Sequence, residues 1–237
     1  MASQALLIQG DDGLPAEEVG AWAVEKHNYL ARYLDISRAA RQKFLGPRKA
    51  GATFIDLFCA TGRARIRETG HWIDGSAMAA WKIGLKGSAP FSQILVADID
   101  EERRKACVER LRRAGAPVRE LAGSAVEAAQ MAVTTVNPYG LHFAFLDPYN
   151  LADLEFCIIK ALSKLKRIDM LIHVSAMDFQ RNFERNISSI GRVFDKFAPG
   201  WRTVVDLNSS KASARQKLFE YWRDQVARSS ARIQPTM

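Results

Sequence analysis

The sequence predicts an α/β fold, a mostly parallel sheet flanked by helices with an N-terminal helical extension, and three observations carry that prediction. Short, almost continuously apolar runs alternate with stretches of helical periodicity from residue 53 onward, the pattern of strands buried on both faces beneath covering helices. Ahead of them, Val19, Trp22, Ala23, Lys26, Tyr29, Leu30, Tyr33 and Leu34 recur at helical spacing until Gly46 and Pro47 stop the pattern. Composition agrees with a folded chain. Over 237 residues, 48% hydrophobic and 25% charged supplies enough apolar surface to offset the entropy of ordering, which excludes disorder.

Taken in order, Pro15–Leu45 reads as helical and makes residues 1–50 an extension to a single domain over 51–237. Strands are predicted at Thr53–Phe58, Gln93–Asp98, Val118–Leu121, Leu141–Leu146 and Met170–Val174. Helices are predicted at Gly75–Leu85, Glu101–Ala114, Ser124–Val136, Leu154–Leu165, Ile187–Phe197 and Arg215–Ala227. The result is a five-strand, three-layer unit. Between the first strand and its helix lies a long loop, Arg63 to Asp74. No internal repeat or low-complexity segment interrupts this plan.

Charge and cysteine usage narrow the class of function. A formal charge of +8 suggests acidic partners, nucleic acid first, although a surplus spread evenly over the surface serves solubility alone. Cys59, Cys107 and Cys157 are odd in number, far apart and without a CxxC pair, so neither a disulfide framework nor a zinc site fits. The four histidines form no HxxxH or HExxH pattern. No run approaches the roughly 18 apolar residues of a membrane span, and the first residues lack the basic and apolar regions of a secretion signal. The expectation is a reduced, cytoplasmic, metal-free protein.

In open α/β sheets, ligands sit beyond the carboxyl ends of the strands, where strand order reverses. After the first strand comes Phe58-Cys-Ala-Thr-Gly62, whose small residues permit close backbone approach to a ligand or a tight turn. Asp56, within that strand, suits the acceptance of loop N–H bonds. Asp98 ends the second strand and fits a carboxylate holding two ribose hydroxyls, while Asp100 before Glu101-Glu102 fits a helix cap. Ser124 with Glu127 matches a capping box, with an adenine contact as the alternative. Cys59 fits a small packing residue better than a nucleophile.

Leu146-Asp147-Pro148-Tyr149-Asn150 closes the fourth strand. A carboxylate and a proline-fixed carbonyl accept bonds from an exocyclic amino group, and the neighbouring aromatic stacks on its ring. The same residues also make a turn. In the long loop, Arg63, Arg65 and Arg67 alternate and share a face if extended; beside His71 and Trp72 they fit phosphate contact and base stacking, or ion pairing with carboxylates such as Glu68. The arginines of 103–113 read mostly as a solvated helix face.

Together, Phe54-Ile-Asp-Leu-Phe-Cys-Ala-Thr-Gly-Arg63, Ile66-Arg-Glu-Thr-Gly70, Ile73-Asp-Gly-Ser76, Val19-Gly-Ala-Trp-Ala-Val-Glu-Lys-His-Asn-Tyr-Leu30 and Tyr33-Leu34, Phe145-Leu-Asp-Pro-Tyr149, and Met177-Asp178 with Arg181-Asn182 resemble the three-Cys-motif partner protein (TcmP) family. The resemblance spans most of residues 19–202. It implies a Rossmann-like fold of the S-adenosylmethionine-dependent methyltransferase type and a three-Cys-motif, radical-SAM-like partner protein. Carried over by position, it implies a donor site of Asp56, Phe58, Ala60, Gly62, Asp98 and Ser124, with Asp147, Pro148 and Tyr149 at the acceptor side. The leading expectation is a methyltransferase-like protein that methylates an amino group on nucleic acid. The alternative is a non-catalytic module of the same fold that binds nucleic acid or a partner protein, which Ala60 and the single proline favour. A nuclease has little support, because clustered metal-binding carboxylates are absent from the sequence.

Overall fold

The computed structural model describes residues 6–187 and 192–231. The chain opens with β1 (Leu7–Gln9) and β2 (Pro15–Val19), followed by α1 (Trp22–Ile36) and α2 (Arg38–Gln42). Next come β3 (Ala52–Asp56), β4 (Arg63–Ile66), β5 (Trp72–Asp74) and α3 (Ser76–Lys86). The alternation then continues through β6 (Gln93–Val96), α4 (Glu101–Arg113), β7 (Val118–Glu120), α5 (Ala125–Thr135) and β8 (Leu141–Leu146). Last are α6 (Phe156–Leu162), β9 (Ile168–Ile172), α7 (Ala176–Arg181), α8 (Phe183–Ile187), α9 (Val193–Phe197) and α10 (Lys211–Ala231).

Two compact units result: residues 6–147 with 167–172, and residues 148–166 with 173–187 and 192–231. The first unit contains a five-stranded sheet of order β7-β6-β3-β8-β9, parallel at every pairing. Counted along the chain, these strands run 3-2-1-4-5, so the order reverses between β3 and β8. That arrangement is Rossmann-like. Alternate residues explain the burial. Phe54, Ile94, Val96, Phe143 and Phe145 pack with Leu30 and Leu34 of α1, Ala77 and Trp81 of α3, and Val108 and Leu111 of α4. Ile55, Leu95 and Ala144, on the opposite face of the pleat, are fully buried as well.

A second sheet, β1-β2-β4-β5, belongs to the same unit. Its presence corrects two expectations. Pro15–Val19 is not helical but a strand, antiparallel to β1 and parallel to β4; proline is tolerated there because it occupies the first position of the strand. Arg63–Asp74 is not a loop but the β4–β5 hairpin, in which Ala64 and Ile66 are buried while Arg63 and Arg65 face outward. The expected boundary at residue 50 is not a boundary between the compact units, because β1 and β2 complete their sheet with β4 and β5.

Smaller differences are in the ends. The first strand stops at Asp56 and the fifth runs Ile168–Ile172. The helix expected over Leu154–Leu165 is the shorter Phe156–Leu162, and the last helix is longer than expected, Lys211–Ala231. The helix expected over Ile187–Phe197 falls partly on residues 188–191, outside the described residues; α8 ends at Ile187 and α9 begins at Val193. The second unit is built on aromatic contacts: Phe179, Phe183 and Phe194 meet in tilted pairs, and Phe197 stacks on Trp222 at 4.9 Å. Among the described residues, no helix is long and apolar enough to cross a membrane.

Candidate functional site

Three carboxylates mark the carboxyl edge of the parallel sheet: Asp56 at the end of β3, Asp98 just beyond β6 and Asp147 just beyond β8. Asp56 is fully buried. It accepts bonds from the Phe58 N–H at 3.2 Å and from the Ser76 hydroxyl at 2.5 Å, and so joins the first loop to the start of α3. Burial pushes its carboxyl up to about 7, with Asp147 and Asp98 adding to the rise and the two bonds opposing it.

This shift has a measurable consequence. Unfolded, Asp56 titrates near its ordinary 3.8, so the folded state holds an extra proton between the two values. The associated stability is full below about pH 4 and lost as pH rises through about 7. Between pH 5 and pH 8 the loss is on the order of 2–3 kcal/mol. Denaturant unfolding across that range should show the decline, and Asp56→Asn, which cannot ionise, should remove that share of it. Glu17 and Asp98, also raised by burial, leave a residual slope of the same sign. An undiminished slope in the variant contradicts the assignment.

The loop from Phe58 to Gly62 is pinned at several points. The Cys59 N–H donates to the Ala97 carbonyl at 2.9 Å, and the Ala60 N–H to Asp98 Oδ2 at 3.0 Å. Ala60 occupies the left-handed region at φ 48°, strained for a residue with a Cβ. A close crossing explains the small residues that follow: a Cβ on Gly75 would lie 2.7 Å from the Gly62 Cα, so only glycine lets the two backbones touch. Cys59 is buried, and burial raises its thiol well above the ordinary value, which fits packing and not nucleophilic work.

Asp98 carries structural duties besides any ligand. Its second oxygen accepts the Asp100 N–H at 2.9 Å. Asp100 itself caps α4 through the N–H groups of Glu102 and Arg103, as expected. Ser124 caps α5 in a complete capping box with Glu127, whose carboxylate receives both the Ser124 hydroxyl and its N–H. This geometry accounts for Ser124 without an adenine contact.

At Asp147 the structure adds a partner that the motif around residue 147 does not contain. The Lys26 ammonium lies 2.5 Å from Asp147 Oδ2, with both side chains largely buried, and 4.3 Å above the Trp22 ring. His27, next in the helix, is held below its ordinary range by burial and then by the Lys26 charge. Helix α1 runs antiparallel to β8: Lys26 meets the strand's end, whereas Tyr33 stacks on Phe143 at 4.5 Å and donates to Asp169 of β9. Lys26 had helical spacing in the sequence, but nothing local linked it to residue 147.

In the second unit, Pro148 is half-buried and Tyr149 is exposed. Asn150 caps the short turn that follows by accepting the Ala152 N–H. Asp178 accepts the Leu151 N–H at 2.8 Å and the Asn182 amide at 2.5 Å, which gives Asp178 and Asn182 a role in holding that turn.

The hairpin arginines are committed inside the small sheet. Arg63 donates twice to Asp11 and once to Asp74, and Arg65 pairs with Glu18 at 2.5 Å. Both guanidinium groups lie about the Trp72 ring, at 6.0 and 5.8 Å from its centroid. Arg67 and His71 are exposed at the hairpin turn. The arginines of α4 also differ from the expected solvated face, because Arg103, Arg104 and Arg110 are buried. Arg103 pairs with Glu17 and Arg110 with Asp12, which fastens the small sheet to α4 by charge, while Arg104 pairs with Glu120 of β7 in the parallel sheet. Arg103 and Arg110 share helical spacing with Cys107 and Leu111 of the buried face, a signal by which their burial could have been read despite their residue type. No group of His, Cys, Asp and Glu able to hold a metal is found among the described residues.

No family model and no curated protein matches the chain. Similar solved structures include two of geranyl diphosphate methyltransferase. The complex with GPP and sinefungin is 13% identical at a TM-score of 0.35, covering 83% of this chain and 72% of that one. The complex with SAM is 13% identical at a TM-score of 0.32, covering 87% and 86%. Likeness of this degree leaves the functional reading to the strand order and the site itself.

Proposed function

We propose that this protein binds S-adenosylmethionine at the carboxyl ends of β3 and β6 and transfers its methyl group to an amino group, with nucleic acid as the acceptor class. The observation that carries the reading is the 3-2-1-4-5 order, which sets Asp56 and Asp147 on either side of the reversal and Asp98 beside the first loop. The donor side fits on its own chemistry. Each Asp98 oxygen holds one backbone N–H and keeps a second acceptor position for a ribose hydroxyl. Phe58, Ala60 and Gly62 line the turn that approaches the donor, and Asp56 fixes that turn. The donor supplies a sulfonium methyl already activated for transfer. Asp147 accepts bonds from the acceptor amine and aims its lone pair, which is a positioning role.

Support for nucleic acid comes from the +8 charge and the exposed Arg67 and His71; Arg63, Arg65 and Trp72 serve the small sheet. A second reading, a binding module of the same fold without catalysis, is favoured by Ala60, whose Cβ narrows the donor turn. Calorimetry with S-adenosylmethionine and its demethylated product tests the donor site, and Asp147→Ala separates the two readings: loss of activity with nucleic-acid binding retained supports catalysis, and full activity refutes it. The expected result is binding of one or both near micromolar affinity, about 8 kcal/mol. Binding of neither overturns the donor site.

A further inference from the structure

We propose that Lys26 and Trp22 select the acceptor: the Lys26 ammonium holds Asp147 as an internal stand-in for the acceptor amine, and Trp22 is the surface on which the amine-bearing ring lies. The inference deepens the methyltransferase reading and rests on it for the role of Asp147. It assigns the acceptor as a planar heteroaromatic amine, the chemistry of adenine and cytosine bases, and excludes ring systems without an exocyclic amine.

The geometry is that of an occupied acceptor position. An amine approaching Asp147 must donate an N–H to the carboxylate, and the Lys26 Nζ already does so at 2.5 Å. The same nitrogen lies over the Trp22 ring at 4.3 Å, so one ammonium bridges a carboxylate and an aromatic face. A ring carrying an amine offers the same pair of contacts in one rigid group: N–H to Asp147 and π-face to the indole. Trp22 is 59% exposed, unusual for an indole that serves only as core. Its exposure makes the face reachable from solvent.

Lys26 is also built to leave. Its helix is fixed at the far end by Leu30 and Leu34 in the core and by the Tyr33 contacts with Phe143 and Asp169. The backbone therefore stays in place while the four-carbon stem rotates. In solvent the ammonium regains full hydration, and the incoming amine replaces its bond to Asp147. Until then the Asp147 charge is neutralised, which keeps water and cations from settling on it. Specificity follows, because a base lacking the amine presents a carbonyl oxygen to Asp147 and cannot displace a bound ammonium.

The sign of one substitution distinguishes this role from ordinary contact. A lysine that touches a phosphate or base weakens binding when removed, whereas a lysine that competes for Asp147 strengthens it. Equilibrium binding of adenosine, cytidine and uridine is to be measured by NMR titration on the wild type, Lys26→Met, Lys26→Arg and Trp22→Ala, with binding of S-adenosylhomocysteine measured on each. Expected results are adenosine and cytidine binding about fivefold or more tighter in Lys26→Met, uridine unchanged, and Lys26→Arg close to wild type. Adding Trp22→Ala to Lys26→Met should abolish the gain. Unchanged or weaker binding in Lys26→Met, or an equal gain for uridine, overturns the proposal. So does failure of all variants to bind any nucleoside, in which case retained S-adenosylhomocysteine binding leaves the donor site standing. Loss of S-adenosylhomocysteine binding by the wild type refutes the donor reading instead, while the nucleoside series still decides the role of Lys26.

Discussion

Asp98→Ala should lower affinity for S-adenosylmethionine and its demethylated product by about a hundredfold, the sum of two charge-assisted hydrogen bonds at about 1.5 kcal/mol each. The side chain works in two directions. Toward the protein it holds the Ala60 N–H at 3.0 Å and the Asp100 N–H at 2.9 Å. In the proposed donor site its remaining acceptor positions would receive two ribose hydroxyls. Truncation loses both sets and leaves Ala60, at φ 48°, without the bond that keeps it in a strained conformation. Stability should therefore fall as well, by about 1–2 kcal/mol. Asp98→Asn keeps one acceptor oxygen and should bind with intermediate affinity. The readout is calorimetry beside denaturant unfolding. Wild-type affinity in Asp98→Ala places the donor elsewhere.

Arg110→Ala is expected to cost about 3 kcal/mol of folding stability, among the larger effects open to a single substitution outside the apolar core. Arg110 is buried and forks onto both oxygens of Asp12 at 2.7 Å. Its Nη1 also donates to the Pro15 and Thr61 carbonyls at 2.7 Å, and its Nη2 to the Leu14 carbonyl at 3.1 Å. One guanidinium thus ties the β1–β2 turn, the first loop and α4 together. Asp12 records the strength of the fork, because the Arg110 bond holds its carboxyl down at about 2. Truncation strands buried carbonyls that no water replaces fully. Arg110→Lys keeps the charge but not the fork and should recover less than half of the loss. Urea titration gives the measurement, and a cost below about 1 kcal/mol refutes the account. Because Thr61 adjoins Gly62, the same variant should also loosen the first loop.

The parts of the fold legible in the sequence are those governed by near neighbours. The five strands of the parallel sheet and the helices between them followed from apolar runs and helical spacing, and Asp100 and Ser124 were recognisable as caps because capping involves residues two or three apart. The N-terminal strands were misread for the complementary reason. Pro15-Ala-Glu-Glu-Val19 has no strong periodicity of its own, and its strand state depends on pairing with β1 and with Ala64–Ile66. Burial of Arg103, Arg104 and Arg110 was likewise invisible to a reading that sorts residues by charge.

The sequence by itself determined the α/β class, the acids Asp98 and Asp147 at strand ends, and the turn of residues 58–62 with its small residues. These depend on hydrophobic pattern and backbone sterics, which act over a few residues. Only the tertiary structure decided how the charges are shared: Lys26 on Asp147, Arg63 on Asp11 and Asp74, Arg65 on Glu18, and Arg110 on Asp12. Any of the 34 basic residues carries the formal charge to pair with any of the 26 acidic ones. The choice is made by which elements the fold brings within a few ångströms, since ionic attraction between exposed groups is weak beyond that range. For the same reason a surplus of positive charge read as a nucleic-acid surface became, at Arg63 and Arg65, the fastening of a small sheet. Lys26 reaches Asp147 only because α1 packs against β8.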